Sequence, residues 1–312
     1  MSDETAAPDS GEAINPFRIR AFALFWGARF LFTLGSQSQA VAIGWQVYEV
    51  ARRDNSVAEA ALYVGLIGLA QFVPMFLLAL PAGEMADRRD RRAIALVCVA
   101  AESVCALAFL ALALVGHPPF WALFLIAMGF GAARAVIAPA SQALGPMLVP
   151  RASLPKAIAL NSLAFQVAAV AGPALGGVLV AISPAFAYGA AFVLFAGGGL
   201  LLALIRANTT PERQPGSRLA LIKEGLAYVW RTKLVLGAIS LDLAAVLLAG
   251  ATALLPVFAR DVLHVGPEGF GVMRAAPAAG AAVMAIVLAR WQVKRRAGLW
   301  MLAGVAVFGL CT

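Results

Sequence analysis

Apolar runs of membrane-spanning length occupy most of this chain, and they limit its fold more than any other feature. Hydrophobic residues make up 62% of the sequence and charged residues 13%, against about 45–50% and about 25% in a soluble globular domain. A run of about 20 apolar residues crosses a bilayer as a helix, because only internal hydrogen bonds can satisfy the backbone there. We therefore expect an all-α polytopic membrane protein. The predicted spans cover 20–48, 61–81, 93–115, 119–141, 157–181, 184–205, 234–258 and 267–290.

A ninth apolar run begins near residue 298 and reaches Thr312, the last residue of the sequence. Fifteen residues rise only about 22 Å as a helix, which is short of a hydrocarbon core roughly 30 Å thick. The sequence therefore predicts a fragment whose C-terminal spans are truncated.

Lys and Arg are distributed unevenly over the connections between the predicted spans. Eighteen lie on one side, whereas the other side carries only Arg52, Arg53 and Arg260. Positive residues favour the cytoplasmic side, so the N-terminus is predicted to be cytoplasmic in a bacterial inner membrane. The net charge of +8 is then a topology signal and does not indicate nucleic-acid binding. Residues 1–16 begin with acidic residues instead of a basic segment, which predicts a disordered cytoplasmic tail and not a signal peptide.

The longest internal connection divides the chain into two parts. Residues 17–205 hold six spans, residues 206–233 form the predicted cytoplasmic linker, and residues 234–312 hold spans 7 and 8 and the start of 9. The second half of the linker has apolar residues at helical spacing, including Leu219, Ile222 and Leu226. This spacing predicts an amphipathic helix at the membrane surface, with a plain linker as the alternative.

The connection between the second and third spans carries a dense charge cluster at fixed spacing. Gly83 is followed by Asp87 and Arg88, and the connection closes with Arg91 and Arg92. This pattern resembles the loop joining helices 2 and 3 of the major facilitator superfamily, where it gates transport. The resemblance implies two six-helix halves with a substrate site between them. Asp90 stands where the general pattern has Gly.

A second motif lies in the predicted fifth span. Gly172, Pro173, Gly176 and Gly177 match the G-P-x-x-G-G core of the motif of drug:proton antiporters, with Ala168 in place of its first Gly. Pro removes a backbone hydrogen bond and Gly allows close helix approach. Further stretches, such as Trp45–Tyr48, resemble the exporter group that contains the enterobactin exporter and macrolide-efflux proteins. Asp at position 90 is common in that group, which supports this resemblance. The Gly-Pro-x-x-Gly-Gly core together with the loop motif implies export.

Five charged residues, Arg274 among them, lie well inside predicted spans. Four of the five have similar depths of about 10–14 Å, counted at 1.5 Å per residue. A charge near the centre of the bilayer costs about 2.5–3.5 kcal/mol on insertion scales, so each needs a partner or a wet cavity. One interpretation is a static set of salt bridges. The other is proton coupling, in which a carboxylate exchanges a proton as a nearby Arg moves. The candidates are Glu102, Asp242, Arg134 and Arg29.

The first span carries an unusual number of polar residues, most of them within half of the helix circumference. A half-polar membrane helix is expected to face a water-filled cavity, whereas polar helix–helix contacts are the alternative. The predicted substrate-cavity residues are Thr33, Ser36, Gln37, Gln39 and Gln46.

Together these features predict a secondary exporter that moves a small amphipathic compound, such as a drug or a siderophore, by proton antiport. A lysophospholipid flippase of the same fold and a transport-dead sensor or scaffold are the alternatives. Three Cys without a CxxC pair and two distant His argue against a metal or redox site. We found no nucleophile–base pair and no phosphate-binding loop in the sequence, so we expect no enzyme activity and no cofactor. The expected partners are the substrate, protons and lipid, with the protein as a monomer.

Overall fold

The computed structural model describes residues 14–116, 118–207, 209–210, 227–248, 252, 254–290 and 297–311. These residues form helices and no strand, which confirms the all-α prediction. We number the long helices α1 to α9 in chain order. They are α1 Arg20–Asp54, α2 Val57–Arg88, α3 Arg91–Val115, α4 Phe120–Met147, α5 Leu154–Ile182, α6 Pro184–Ala203, α7 Lys233–Leu248, α8 Pro267–Arg290 and α9 Ala297–Cys311.

The first six helices form one bundle with α1 at its centre. Helix α1 packs against α5 and α6, α2 packs against α4, and α3 packs against both α4 and α6. Aromatic side chains such as Phe25, Phe109 and Phe195 are fully buried between them. Helices α2 to α6 and α8 are long and apolar enough to cross a membrane. Helix α1 also has the length, at 35 residues, but it carries the polar residues noted above.

The two ends of the bundle differ in charge. We call the end with Arg20, Arg88–Arg92 and Arg151 the basic end, and the end with Asp54, Ser183 and Asp261 the opposite end. Side-chain caps begin helices at both ends. Ser56 forms a capping box with Glu59 at the start of α2, and Asp90 accepts hydrogen bonds from the backbone N–H groups of Arg92 and Ala93 at the start of α3. Such caps satisfy helix-terminal N–H groups that have no partner within the helix.

The predicted connection over Gly83–Arg92 is mostly helical. Helix α2 continues to Arg88 through Pro74 and Pro81, and α3 begins at Arg91. The prediction that the second span ends at residue 81 was wrong, because Pro and Gly are tolerated within membrane helices. An ion pair of 3.3 Å between Arg88 and Glu84 supports the last turn of α2.

Two other predicted boundaries also change. The seventh span was predicted to cover 234–258. Within that range the structure describes α7 over Lys233–Leu248, a helical turn at Leu255–Val257 and the start of a π-helical turn at Phe258–Val262. The predicted amphipathic helix lies mostly outside the described residues, and residues 227–231 at its end are helical.

Helices α5 and α8 join the six-helix bundle to the C-terminal part of the chain through a very close contact. A Cβ atom on Gly271 would lie 2.8 Å from Gly177 Cα and 2.6 Å from the Pro173 carbonyl oxygen. Small residues allow this approach, and close packing replaces the hydrophobic driving force that helices lack in lipid. The Gly-Pro-x-x-Gly-Gly segment is therefore the surface on which α8 packs.

We expect Gly271→Ala to destabilise the protein by about 1–3 kcal/mol, because the added methyl group overpacks the α5–α8 contact. The thermal unfolding midpoint of purified protein in detergent measures this. Gly280→Ala in the same helix is the control, since a Cβ there meets nothing within 4 Å. Equal midpoints for the two variants would contradict the packing role of Gly271.

Candidate functional site

A cavity of about 210 Å³ lies between α1, α2, α3, α4 and α5, and we call it the central cavity. It combines ionisable, polar and apolar side chains from five helices, which suits an amphipathic ligand. It is lined by Arg29, Phe32, Thr33, Ser36, Gln37, Met75, Glu102, Arg134, Ile137, Ala138, Ser141, Gln142 and Phe165.

Glu102 of α3 is the carboxylate of the central cavity. Its side chain is 1% exposed, and its Oε2 atom has no hydrogen-bond partner among the residues that the structure describes. Among the described residues no salt bridge within 4.0 Å joins it to Arg29 or Arg134, although both line the same cavity. A buried carboxyl group without a close partner favours its neutral form, and one near an arginine favours its charged form. Glu102 is therefore a buried carboxyl group that shares a cavity with two arginines without forming a salt bridge among the described residues.

The two arginines of the central cavity are held by different contacts. Arg29 donates a hydrogen bond of 3.3 Å from Nη1 to the backbone carbonyl of Ser141, while its Nε has no partner. The Arg134 guanidinium lies 5.6 Å from the centroid of the Phe130 ring. Neither contact is a salt bridge, so both guanidinium groups keep donors that could turn to a ligand or to Glu102.

The fourth charged candidate lies elsewhere. Asp242 is on α7, its side chain is exposed, and it does not line the central cavity. Counting residues along the spans gave Asp242 a depth similar to that of Glu102. The count could not show toward which side of the helix the Asp242 side chain faces. Arg274 of α8, another charge within a span, lines a second cavity of about 210 Å³ together with Gln71 of α2, a residue that the sequence analysis did not select.

The polar residues of α1 divide into two groups. Thr33, Ser36 and Gln37 line the central cavity. Gln46 instead accepts a 2.6 Å hydrogen bond from the Tyr188 hydroxyl group of α6. This is a polar contact between helices, which was the alternative to a cavity-lining role. Gln39 is fully buried, and within the described part of the chain neither its amide nitrogen nor its amide oxygen has a hydrogen-bond partner.

The glycine motif of α5 packs against α1 as well as α8. A Cβ on Gly172 would lie 2.5 Å from the Gln37 Cβ, and one on Gly176 would lie 2.7 Å from the Ser38 carbonyl oxygen. The Ser38 hydroxyl donates a 2.8 Å hydrogen bond to the Gly172 carbonyl oxygen. The motif therefore fixes the rotation of α1, which turns Gln37 and its polar neighbours toward the cavity.

At the basic end, the arginines of the loop motif connect α3 to three other helices. Arg91 donates to the carbonyl oxygens of Ala86 at 3.0 Å and Ala143 at 3.2 Å. Arg92 donates to the carbonyl oxygens of Leu202 and Ala203 at the end of α6, at 2.9 and 2.7 Å. These bonds satisfy helix-terminal carbonyl groups and complement the negative end of the helix dipole.

Asp87 of the same motif is much more accessible than these arginines. Its side chain is 75% exposed and forms an ion pair of 3.8 Å with Arg91. Gly83, the first residue of the motif, has open space at the position of a Cβ. The Asp87 carboxylate is thus available to a surface that approaches the basic end.

At the opposite end, a polar junction joins α1 to the segment before α8. Asp261 accepts hydrogen bonds from the Tyr48 hydroxyl group and from Arg52, the latter also an ion pair of 3.1 Å. The rings of Trp45 and Phe270 lie 6.1 Å apart beside it. This junction was not predicted from the sequence, although Asp261 is adjacent to Arg260, one of only three basic residues on the side that is poor in Lys and Arg.

The pKa of Asp261 reflects this environment. Burial raises the pKa of the Asp261 carboxyl group. The hydrogen bonds from Tyr48 and Arg52 and the charge of Arg52 lower this pKa by more, so it lies below its ordinary value. A carboxyl group with a lowered pKa stabilises the folded protein fully at pH values above the ordinary pKa of Asp, about 3.9. This stabilisation is lost as the pH falls through the lower pKa of the folded state. The junction is therefore intact at neutral pH.

This helical bundle, with a central cavity and an arginine-rich motif between α2 and α3, has the major facilitator fold. Inward-facing structures of a bacterial homologue of the human lysosomal transporter Spinster superpose with a TM-score of 0.63 at 20% and 19% identity, over 85% and 89% of this chain. A D-xylose–proton symporter superposes with a TM-score of 0.56 at 15% identity. The chain spans 60% and 63% of the Spinster homologue chains and 70% of the symporter chain.

Within this superfamily, the chain belongs to the Transmembrane secretion effector family, whose model matches residues 11–311. It is 27% identical over 306 residues to the enterobactin exporter EntS of Citrobacter koseri and to that of Shigella dysenteriae. These alignments cover 93% of this chain and 70% of each relative. The chain is thus a multi-pass membrane protein related to exporters.

We expect Asp261→Asn to weaken the junction and to raise solvent access at the opposite end, because Arg52 loses its charged partner. The partly exposed ion pair is worth up to about 1 kcal/mol, so the effect is a shift between conformations and not a loss of folding. The rate at which a thiol reagent labels a cysteine at position 45, in a background without Cys98, Cys105 and Cys311, measures this access.

Arg53→Gln is the control for this experiment, because Arg53 donates to the Gly116 carbonyl oxygen and not to Asp261. The charge-swapped double variant Arg52→Asp with Asp261→Arg should restore slow labelling. Slow labelling in Asp261→Asn would show that the junction does not hold this end closed.

Proposed function

We propose that this protein exports a small amphipathic compound by proton antiport with alternating access. The observation that carries the proposal is the central cavity, in which a buried carboxylate without a close partner shares the lining with two arginines and three polar residues of α1. The rest of the lining consists of Ser141 and Gln142 of α4 and of apolar side chains that include Phe32, Met75 and Phe165. A ligand with both apolar and hydrogen-bonding groups fits this combination.

Glu102 is the proposed proton carrier. The buried carboxyl group takes up a proton when the arginines are distant and releases it when Arg134 or Arg29 approaches. Alternating access supplies that movement, because the helices that carry these residues shift relative to one another. Asp242 remains a second candidate, although it does not line the central cavity.

The contacts at the two ends support an inward-facing arrangement. Close contacts at the opposite end include the Asp261 junction and the α5–α8 contact, whereas Asp87 at the basic end is exposed. With the basic end in the cytoplasm, as the distribution of Lys and Arg predicts, this is the state that loads substrate from the cytoplasm. Asp87 would then meet the C-terminal half only when the basic end closes.

A siderophore or a drug is the proposed cargo. The enterobactin exporters are the relatives that support a siderophore, and the Gly-Pro-x-x-Gly-Gly segment of α5 resembles the motif of drug:proton antiporters. Both cargoes are amphipathic compounds that suit a cavity of mixed polarity. The proposed location is a bacterial inner membrane, with the N-terminus in the cytoplasm.

We expect Glu102→Gln to abolish substrate efflux driven by a pH gradient while substrate binding survives, because the amide cannot exchange a proton. Arg134→Ala should also abolish coupled efflux by removing the charge that shifts Glu102. Efflux from proteoliposomes with an imposed gradient is the measurement, and binding is measured separately in detergent. Asp242→Asn assays the second candidate in the same way.

Glu59→Gln provides the control, since it makes the same carboxylate-to-amide change at an exposed capping residue outside the cavity. Gradient-driven efflux that persists in both Glu102→Gln and Asp242→Asn would show that the proton is carried by another group. Loss of binding in Glu102→Gln would assign this residue to substrate recognition instead.

We expect Asp87→Asn to fold and insert normally yet to impair transport, because the neutral side chain cannot stabilise the closed basic end. Transport at matched expression is the measurement. Asp54→Asn, an exposed aspartate at the opposite end, is the control. Normal transport in Asp87→Asn would leave the loop motif with a role in topology alone.

A further inference from the structure

A second basic site lies outside the central cavity, at the basic end of the bundle between the start of α1 and the end of α6. It is a pocket of about 250 Å³ whose described lining consists of Arg20, Ala21 and Leu24 from α1 together with Leu204 and Arg206. None of its described lining residues also lines the central cavity. We call it the α1–α6 pocket.

The charge in this pocket is of one sign. Arg20 and Arg206 come from segments that are far apart in sequence, and no carboxylate is among the described residues that line the pocket. Two guanidinium groups on one pocket suit a phosphate group, which accepts several charge-assisted hydrogen bonds at once. The pocket is therefore suited to an anion.

The neighbouring backbone adds to this preference. The N-cap residue of α1 is Ile19, which offers no side-chain hydrogen bond to the first turn, and Ala21 of that turn lines the pocket. An uncapped helix N-terminus favours an anion through its free N–H groups and its dipole. On the other side, the carbonyl oxygens of Leu202 and Ala203 are already occupied by Arg92, which neutralises the negative end of α6 beside the pocket.

The rest of the pocket is apolar and continues onto the outer surface of α6. Leu24 and Leu204 line it, and Leu204 and Leu200, one helical turn apart, are 46% and 63% exposed. In a membrane helix such exposed leucines face lipid chains. The pocket thus places positive charge at the level of the headgroups, directly beside a surface that acyl chains cover.

We propose that the α1–α6 pocket binds an anionic glycerophospholipid of the adjacent leaflet, with its phosphate between Arg20 and Arg206 and an acyl chain along Leu200 and Leu204. Basic pockets between membrane helices bind anionic headgroups in this way. The bound lipid would link the first turn of α1, the helix that carries much of the cavity lining, to the end of α6. This role is independent of the substrate and of proton coupling.

The experiment compares phosphatidylglycerol with phosphatidylcholine added to the purified full chain in detergent. The thermal unfolding midpoint should rise with phosphatidylglycerol more than with phosphatidylcholine, because a ligand that binds only the folded state stabilises it. In the double variant Arg20→Gln with Arg206→Gln, the apparent affinity for phosphatidylglycerol should fall by about tenfold or more, as expected for the loss of charge-assisted hydrogen bonds. Native mass spectrometry of retained lipid provides a second measurement.

The matched control is Arg151→Gln with Lys156→Gln, which removes the same charge from exposed residues at the same end of the bundle. An equal loss of affinity in the control and the double variant would show attraction by net charge alone and would overturn the proposal. The same conclusion follows if the wild-type protein does not distinguish the two lipids. Inorganic phosphate that reproduces the full shift would assign the pocket to a soluble anion. If the double variant does not fold, the two single variants replace it.

Discussion

The cost of placing charge and unpaired polar groups in a hydrocarbon medium is the constraint on which this structure depends. Each charged side chain within a span needs water, a partner or a cavity. Arg29, Glu102 and Arg134 meet this requirement together by lining one cavity. They are not paired into salt bridges there, and a static lock would have left no group free to change its charge. The same constraint that makes these residues rare thus makes their joint location informative about function.

Helix α1 connects this cavity to both ends of the protein. Its first residue lines the α1–α6 pocket, its middle lines the central cavity, and Tyr48 and Arg52 near its end bind Asp261. The α5 glycines fix its rotation by close backbone contact. A rigid helix with contacts at three levels can transmit a change at one end to the other. This arrangement gives the proposed alternating access a physical route along a single helix.

Most of the fold could be predicted from the sequence, because the length of the apolar runs and the positions of charged residues are local properties. The main error came from Pro81 and Gly83, because residues of these types often end a helix. Helix α2 continues past both residues to Arg88. Pro is tolerated inside a membrane helix because neighbouring helices can satisfy the backbone groups that it leaves unpaired. The site was predicted in part. The depth of a side chain along a helix follows from residue counts, whereas the direction in which the side chain faces depends on how the helix packs. For this reason the residue count selected Asp242, which does not line the central cavity.

The sequence by itself determined the all-helical class, the family through the Gly83–Arg92 and Gly172–Gly177 motifs, and the set of charges that the membrane core must accommodate. These follow from composition and spacing, which need no knowledge of contacts. Only the tertiary structure decided that Glu102 shares a cavity with two arginines, that Gln46 bonds to Tyr188, and that Asp261 joins Tyr48 and Arg52. The reason is physical: each pair of partners is separated by more than 30 residues in the sequence, and only the rotation and packing of whole helices bring their side chains together.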